Sequence, residues 1–389
     1  MLDKEYTAPR TTQARVLLLA DAHLHLVWSL PRIIHRAGAH LVLMAPANQC
    51  FRHSRFVDEW VDSPPAGCDA VAAQLTQHLA EHHYDLVVHA SPSVVEVLCR
   101  SARPASMEWL LPEVARALAA KTAFHPWALS HSLPVPPGRV CHSLAEAGDW
   151  VAEHGLSVIK CDALHGGDGV WQVASVEEVR AVWPKLNQPA AVVLQKFIRG
   201  PVGCTELILQ HGRVAGWFAS VAERSVTPFG ASIMRRLVNP PGMADIVQQI
   251  STATAFHGLC GFDWILDEAT GRVVVLEFHP RATSGFCWGR SAGVDVSAAL
   301  RDLLSGQPAG LRAPKAAQQL ARAPLCCYFP AHFWWALTEQ RSDLKYWLPC
   351  SHAVSWRNVP IDEPRLLGGV LAFALRNLCR RHLPWLRSR

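Results

Sequence analysis

The segment that most constrains this chain is GFDWILDEATGRVVVLEFHPRATSG, residues 261–285, where two apolar strands each carry one acidic residue. Strands at Gly261–Leu266 and Arg272–Phe278 flank a turn at 267–271 rich in turn-forming residues, the pattern of a hairpin. Alternation puts Asp263 and Ile265 on one face of the first strand, and Glu277 and His279 on one face of the second. A charged side chain in an otherwise apolar strand is costly unless it is paired or binds a metal. Two carboxylates on adjacent strands can hold Mg²⁺, which takes hard oxygen ligands and usually only one or two from protein carboxylates. A hairpin with two solvated acids is the plain alternative.

A second signal lies upstream. The apolar strand Leu156–Cys161 (LSVIKC) carries Lys160 near its end and runs into a loop with Gly166, Gly167 and Gly169. Backbone N–H groups of such a loop can cradle a phosphate while the lysine supplies charge. It is not a Walker loop, because G-x-x-x-x-G-K-[ST] occurs nowhere in the chain.

The N-terminal stretch opens with a buried strand at Arg15–Ala20, a helical pattern over Leu24–Ala37 and a strand at His40–Ala45, followed by helix Ala70–His82, strand Tyr84–Ala90 and helix Val94–Arg100. Short continuous apolar runs alternating with helices indicate a small doubly wound α/β unit over 1–112. No G-x-G-x-x-G follows the first strand, so no dinucleotide site is assigned. A helix at Glu113–Lys121, the extended stretch Leu133–Arg139 and helices at Leu144–His154 and Ser175–Trp183 come next, the last opened by Ser175 with acids in its first turn. Strands dominate from Ala190, then helix Met243–His257 leads into the hairpin. The expected units are 1–112, 113–190, 191–312 and an aromatic, basic extension at 313–389.

With 389 residues, half of them apolar, the chain can bury a sizeable core. The net charge of +5 is spread along the chain, which makes a poor case for nucleic acid and fits a binder of small anions. Twelve cysteines include no C-x-x-C pair, so reduced thiols in a cytoplasmic protein are expected. The N-terminus lacks a signal-peptide apolar core, and no run reaches the ~18 to 20 apolar residues of a membrane span. The tail from Leu366 combines apolar residues with Arg376, Arg380, Arg381, Arg387 and Arg389; a docked helix is expected, with peripheral contact to an anionic membrane as the second reading. His23, His25, His82 and His83 have no companions at ligand spacing and read as ordinary histidines. Trp334, Trp335, Trp347, Trp356 and Trp385 concentrate in the extension, where packing against the core is expected.

The order KTAF, LPVPPG, SVIKC with HGGDGV, VVLQKFIRG, GFDWIL and VVVLEFHPR, over about Lys121 to Asp302, resembles the ATP-grasp superfamily, whose members include D-alanine–D-alanine ligase, biotin carboxylase and carbamoyl-phosphate synthetase. The resemblance implies a mixed α/β ATP-grasp fold behind a Rossmann-like N-terminal domain, ATP with Mg²⁺ (Mn²⁺ as alternative), small-molecule carboxylate and amine substrates, and a homodimer. Lys121 and Lys160 would contact ATP phosphates, with Gly166 to Gly169 as the lid. Gln195-Lys196-Phe197-Ile198 would bind adenine, with Gln195 where relatives usually carry an acid. Glu206 would bind ribose hydroxyls. Asp263 and Glu277 match the metal-binding acids, and His279 stands where relatives have Asn as the next metal ligand; it would complete the metal set, contact phosphate or substrate instead, or mark an impaired enzyme. Arg281, with Arg236 in preference to Arg235, would neutralise charge on the reacting groups, and the turn Thr283-Ser284-Gly285 would meet a substrate carboxylate. The implied activity is an ADP-forming ligase that activates a carboxylate as an acyl phosphate and joins it to an amine; a carboxylase, a kinase or a non-catalytic nucleotide-binding protein are the alternatives.

Overall fold

The computed structural model describes residues 13–20, 28–64, 69–90, 92–100, 113–162, 167, 169–186, 191–316, 322, 325–348, 353 and 355–382. Gly166, His23, His25, Trp385, Arg387 and Arg389 fall outside them, as do the side chains of Arg380 and Arg381.

Strands β1 (Arg15–Leu19), β2 (His40–Ala45), β3 (Glu59–Asp62) and β4 (Leu86–His89) form a parallel sheet in the order β3-β2-β1-β4. The apolar runs of β1, β2 and β4 are continuous because both faces are covered. Val16 and Leu18 pack with Ile34 of α1 (Leu30–Arg36), whereas Leu17 and Leu19 pack with Leu75 of α2 (Asp69–Glu81) and Val94 of α3 (Pro92–Arg100). Strand β3 was not expected from the sequence. It is an edge strand whose two acids lie in solvent, so it lacks the apolar signature of its neighbours.

The helix expected at Glu113–Lys121 is two helices, α4 (Glu113–Leu118) and α5 (Lys121–Ser130). Ala120 adopts an extended conformation between them, so Lys121 opens a helix instead of ending one. A second sheet, antiparallel, follows in the order β5-β8-β6-β7: β5 (Gly138–Cys141), β6 (Ser157–Lys160), β7 (Val170–Val173) and β8 (Val192–Lys196). It is backed by α6 (Leu144–His154) and α7 (Val176–Val182). Ser143 and Ser175 cap these helices by accepting from Glu146 and Glu178 N–H, both at 3.2 Å. Because β8 is hydrogen-bonded into this sheet, the change of sheet falls after Lys196, and not at the expected 190/191 boundary.

The third sheet has the order β13-β12-β9-β10-β11-β14: β9 (Val202–Gln210), β10 (Arg213–Ser225), β11 (Ser232–Val238), β12 (Gly258–Leu266), β13 (Val273–His279) and β14 (Cys326–Cys327). Helix α8 (Met243–Thr254) packs on one face; α9 (Gly289–Ala292) and α10 (Val296–Leu304) follow the hairpin. The extension is not separate from this layer, since β14 pairs with β11. It continues into α11 (Ala331–Thr338) and α12 (Pro364–His382). Buried Asp343 pairs with Arg224 Nε of β10 at 2.9 Å, and His332 accepts from Trp347 Nε1 at 3.0 Å. Helix α12 buries Leu366 and Val370, with Gly369 close to Cys50. No helix among the described residues is long and apolar enough to cross a membrane.

Candidate active site

The hairpin register pairs Asp263 with Glu277 and Gly261 with His279. Across β12 and β9, Asp263 meets Cys204 and Gly261 meets Glu206; Cys204 meets Ser220, and Ser220 meets Leu237. Directly paired residues share a face, and so do residues two apart. Asp263, Glu277, His279, Cys204, Glu206 and Arg235 therefore lie on one face of the large sheet. Ligand atoms of Asp263, Glu277 and His279 all lie within 4.8 Å of one another. His279 Nε2 is 3.1 Å from Asp263 Oδ2 and 3.9 Å from Glu277 Oε1. Burial alone would raise the Asp263 carboxyl, but His279, Arg235 and Cys204 together hold it well below the usual carboxylate range.

The two lysines face this cluster from different elements. Lys121 Nζ lies 3.5 Å from Glu277 Oε2. A cation in the first turn of a helix opposes the helix dipole, and the Glu277 carboxylate offsets that cost. Lys160 is buried at the end of β6. Burial, with repulsion from Lys121, lowers its ammonium to about 8 against the opposing pull of Glu277 and Asp263. Helix α5 is tied to the β6 loop because Asp162 accepts from the Thr122 N–H at 3.1 Å and from the Thr122 hydroxyl.

Gly167 has φ +92°, and a Cβ there would sit 2.1 Å from the Phe229 carbonyl oxygen. The glycine-rich loop thus approaches the β10–β11 turn closer than any side chain permits. In the segment expected at adenine, Lys196 is exposed, Phe197 and Ile198 are half-buried, and Gln195 is buried. The Gln195 amide meets His125 Nδ1 at 3.0 Å, while its Oε1 has no partner among the described residues. His125 is one turn along α5 from Lys121, so one helix touches both the lysine cluster and this strand.

Two expectations need correction. Arg236 does not enter the cleft: it pairs with Glu223 at 2.6 Å, half-exposed. Arg235 is the inward residue. Its guanidinium is held by the Ser220 hydroxyl at 2.8 Å and the Ser220 carbonyl at 2.9 Å, within the field of Asp263 and Glu206. Glu206 does not fit a ribose acid. It is 2% exposed, accepts the Thr283 hydroxyl, and receives the Cys204 thiol at 3.7 Å. Burial raises its carboxyl despite Thr283 and Arg235. Its role is to hold the turn after the hairpin, where a Cβ on Gly285 would fall 1.8 Å from Glu206 Oε1. Arg281 opens that turn, partly buried, with Nη1 3.4 Å from the Ala282 carbonyl. Sequence reasoning missed His125 and Cys204, which carry no local motif, and misassigned Arg235, which the β10–β11 register would have resolved.

No protein-family model matches the sequence, and no curated protein resembles it significantly. Solved structures do. The biotin carboxylase domain of Hydrogenobacter thermophilus 2-oxoglutarate carboxylase, determined with MgADP and bicarbonate, superposes with a TM-score of 0.60 at 16% identity, over 78% of this chain and 72% of that one. N5-carboxyaminoimidazole synthetase from Staphylococcus aureus, complexed with ADP, gives 0.59 at 13% identity over 78% and 80%. An L-amino acid ligase from Bacillus licheniformis gives 0.54 at 18% identity over 77% and 75%. The chain is built on the ATP-grasp fold of these enzymes, as its motif order implied.

Proposed function

We propose that this protein is an ATP-dependent, ADP-forming ligase that activates a small-molecule carboxylate as an acyl phosphate and joins it to an amine. The observation that carries this reading is the convergence of Asp263 and Glu277 from one sheet with Lys121 and Lys160 from another layer, with Lys121 and Glu277 3.5 Å apart. Cations from a helix and from a second sheet that meet the carboxylates of the large sheet suit a polyphosphate with its counter-ion. The unpartnered Gln195 Oε1 adds support, because a buried acceptor beside the adenine-type strand is satisfied by an exocyclic amino group.

Asp263 and Glu277 fit Mg²⁺ by donor chemistry, since both offer hard carboxylate oxygens within reach of one another; Mn²⁺ is the alternative ion. The ion supplies charge neutralisation at the phosphates when bound. His279 offers a nitrogen that Mg²⁺ does not favour, and its contact with Asp263 makes it an orienting group for that carboxylate.

In the first half-reaction a substrate carboxylate oxygen attacks the γ-phosphorus, the bond to the ADP oxygen breaks, and the acyl phosphate forms. Lys121 and Lys160 hold the phosphates in line. In the second, the amine nitrogen attacks the acyl carbon, phosphate departs and the nitrogen loses its proton. Arg281 and Arg235 neutralise the charge that gathers on the carbonyl oxygen. No enzyme nucleophile is required.

The test is release of ADP and phosphate from ATP and Mg²⁺ across paired carboxylates and amines. Substrate-dependent turnover that falls by roughly 100-fold or more in Glu277→Ala supports the ligase. ATP binding without turnover for any pair would reject it in favour of a non-catalytic nucleotide-binding protein.

A further inference from the structure

A cavity of about 90 Å³ lies where the N-terminal unit, the turn after the hairpin and the extension meet. One wall is the face of α1 that carries Arg32 and Arg36; others are Cys287 and Arg290 after the hairpin, the start of α10 at Asp295, and Arg357 of the extension. Four arginines and one aspartate give the lining a formal charge of 4 − 1 = +3.

The charges are not equally free. Arg32 is matched by Asp362 and Glu363, and Arg290 pairs with Asp295 at 3.2 Å. Asp295 is engaged a second time by the Ala298 N–H that it caps. Arg36 has no side-chain ion pair or hydrogen bond among the described residues, and Arg357 reaches only the Ser291 hydroxyl, at 3.4 Å. Two positive charges at the mouth therefore have no ion-pair partner among the described residues. Burial, then repulsion from Arg290 and Arg32, lowers the Arg36 guanidinium, against the opposing pull of Asp362 and Asp295. Among the described residues the lining is also short of acceptors: Trp28 Nε1, on a side chain 3% exposed, and Arg32 Nε are buried donors with no hydrogen-bond partner there. Buried N–H groups are rarely left unmatched.

We propose that this cavity binds an oxyanion, a carboxylate or phosphate group, through Arg36 and Arg357. The space admits a group of carboxylate or phosphate size. Guanidinium forks match the planar or tetrahedral geometry of such groups. Cys287 of the wall belongs to the same turn as Thr283, which binds Glu206 on the catalytic face. A group held here sits behind that turn, so an acidic co-substrate of the proposed ligase is one source of the anion; that source rests on the ligase reading. A free oxyanion is the other.

The probe is inorganic phosphate, titrated into the full chain with saturating MgADP while thermal unfolding is followed. Phosphate is expected to raise the midpoint of the wild type, and Arg36→Ala with Arg357→Ala to need at least tenfold more phosphate for the same rise. Arg180→Ala, an exposed arginine on α7, should behave as wild type. Arg36 and Arg357 are both exposed, so the double variant should unfold like wild type without phosphate. Unchanged phosphate dependence in that variant overturns the proposal. Phosphate that competes with an acid-bearing co-substrate in turnover assigns the anion to the substrate, and non-competitive behaviour assigns it to a free ion. If no turnover occurs the ligase reading fails, yet the titration still decides the site.

Discussion

Asp162 binds Thr122 twice, through its backbone N–H at 3.1 Å and through its hydroxyl. The carboxylate caps the start of α5 from another element, next to Lys121, which pairs with Glu277, and Lys160 lies two residues before Asp162 on the chain. Because hydrogen bonds to charged groups are worth about 1.5–3 kcal/mol, Asp162→Ala should cost about 2 kcal/mol of stability in urea unfolding. It should also weaken ATP binding measured calorimetrically, whereas Asp162→Asn should retain part of both. An Asp162→Ala variant with wild-type ATP affinity would show that the tie does not position Lys121.

The two adjacent arginines of β11 should separate cleanly. Arg235→Ala is expected to lower kcat by roughly 100-fold or more, as for loss of one preorganised charge donor. Arg236→Ala removes a half-exposed pair with Glu223, worth about 0–1 kcal/mol of stability, and should leave kcat within about twofold of wild type. Comparable losses in both would contradict the inward assignment of Arg235.

Gly285 has no room for a methyl group, since its Cβ would overlap Glu206. Gly285→Ala should therefore displace the buried carboxylate from Thr283. A loss of about 2 kcal/mol or more is expected from disturbing a buried polar network, read as a lowered urea midpoint. Thr283→Val should reproduce much of it, because the Glu206 carboxylate then loses its hydroxyl partner.

Acid sensitivity should trace in part to His257. Burial, with stacked His211 adding repulsion, pushes its imidazole down to about 4. The folded value lies below the unfolded ~6.5, so the unfolded chain binds the proton more readily. Nothing is contributed above pH ~6.5, and stability is lost as pH falls from there toward 4. By pH 5 the loss should be about 2 kcal/mol, from ~1.5 units at 1.36 kcal/mol each. His257→Gln should show a correspondingly flatter fall in urea midpoint between pH 7 and pH 5; parallel curves would rule out His257 as a source.

The sequence by itself determined the strand character of most of the N-terminal sheet, the hairpin and, through motif order, the fold. These are legible because they depend on local periodicity: continuous apolar runs mark two-sided burial at Leu17 and Val42, and strand alternation fixes the shared face of Glu277 and His279. Edge strand β3 escaped because its acids face solvent and mimic a loop. Only the tertiary structure decided which of Arg235 and Arg236 enters the cleft, because that parity is set by pairing with β10 and not by either residue's neighbours. The same holds for Glu206, a carboxylate like any other on the strand until the turn at Thr283 and Gly285 folds over it. Long-range register and burial assign these roles, since a side chain's protonation and partners depend on what other segments bring within a few ångströms. The arginine-lined cavity is the extreme case: α1, the turn after the hairpin and the extension are far apart in sequence, and only their packing gathers the charge.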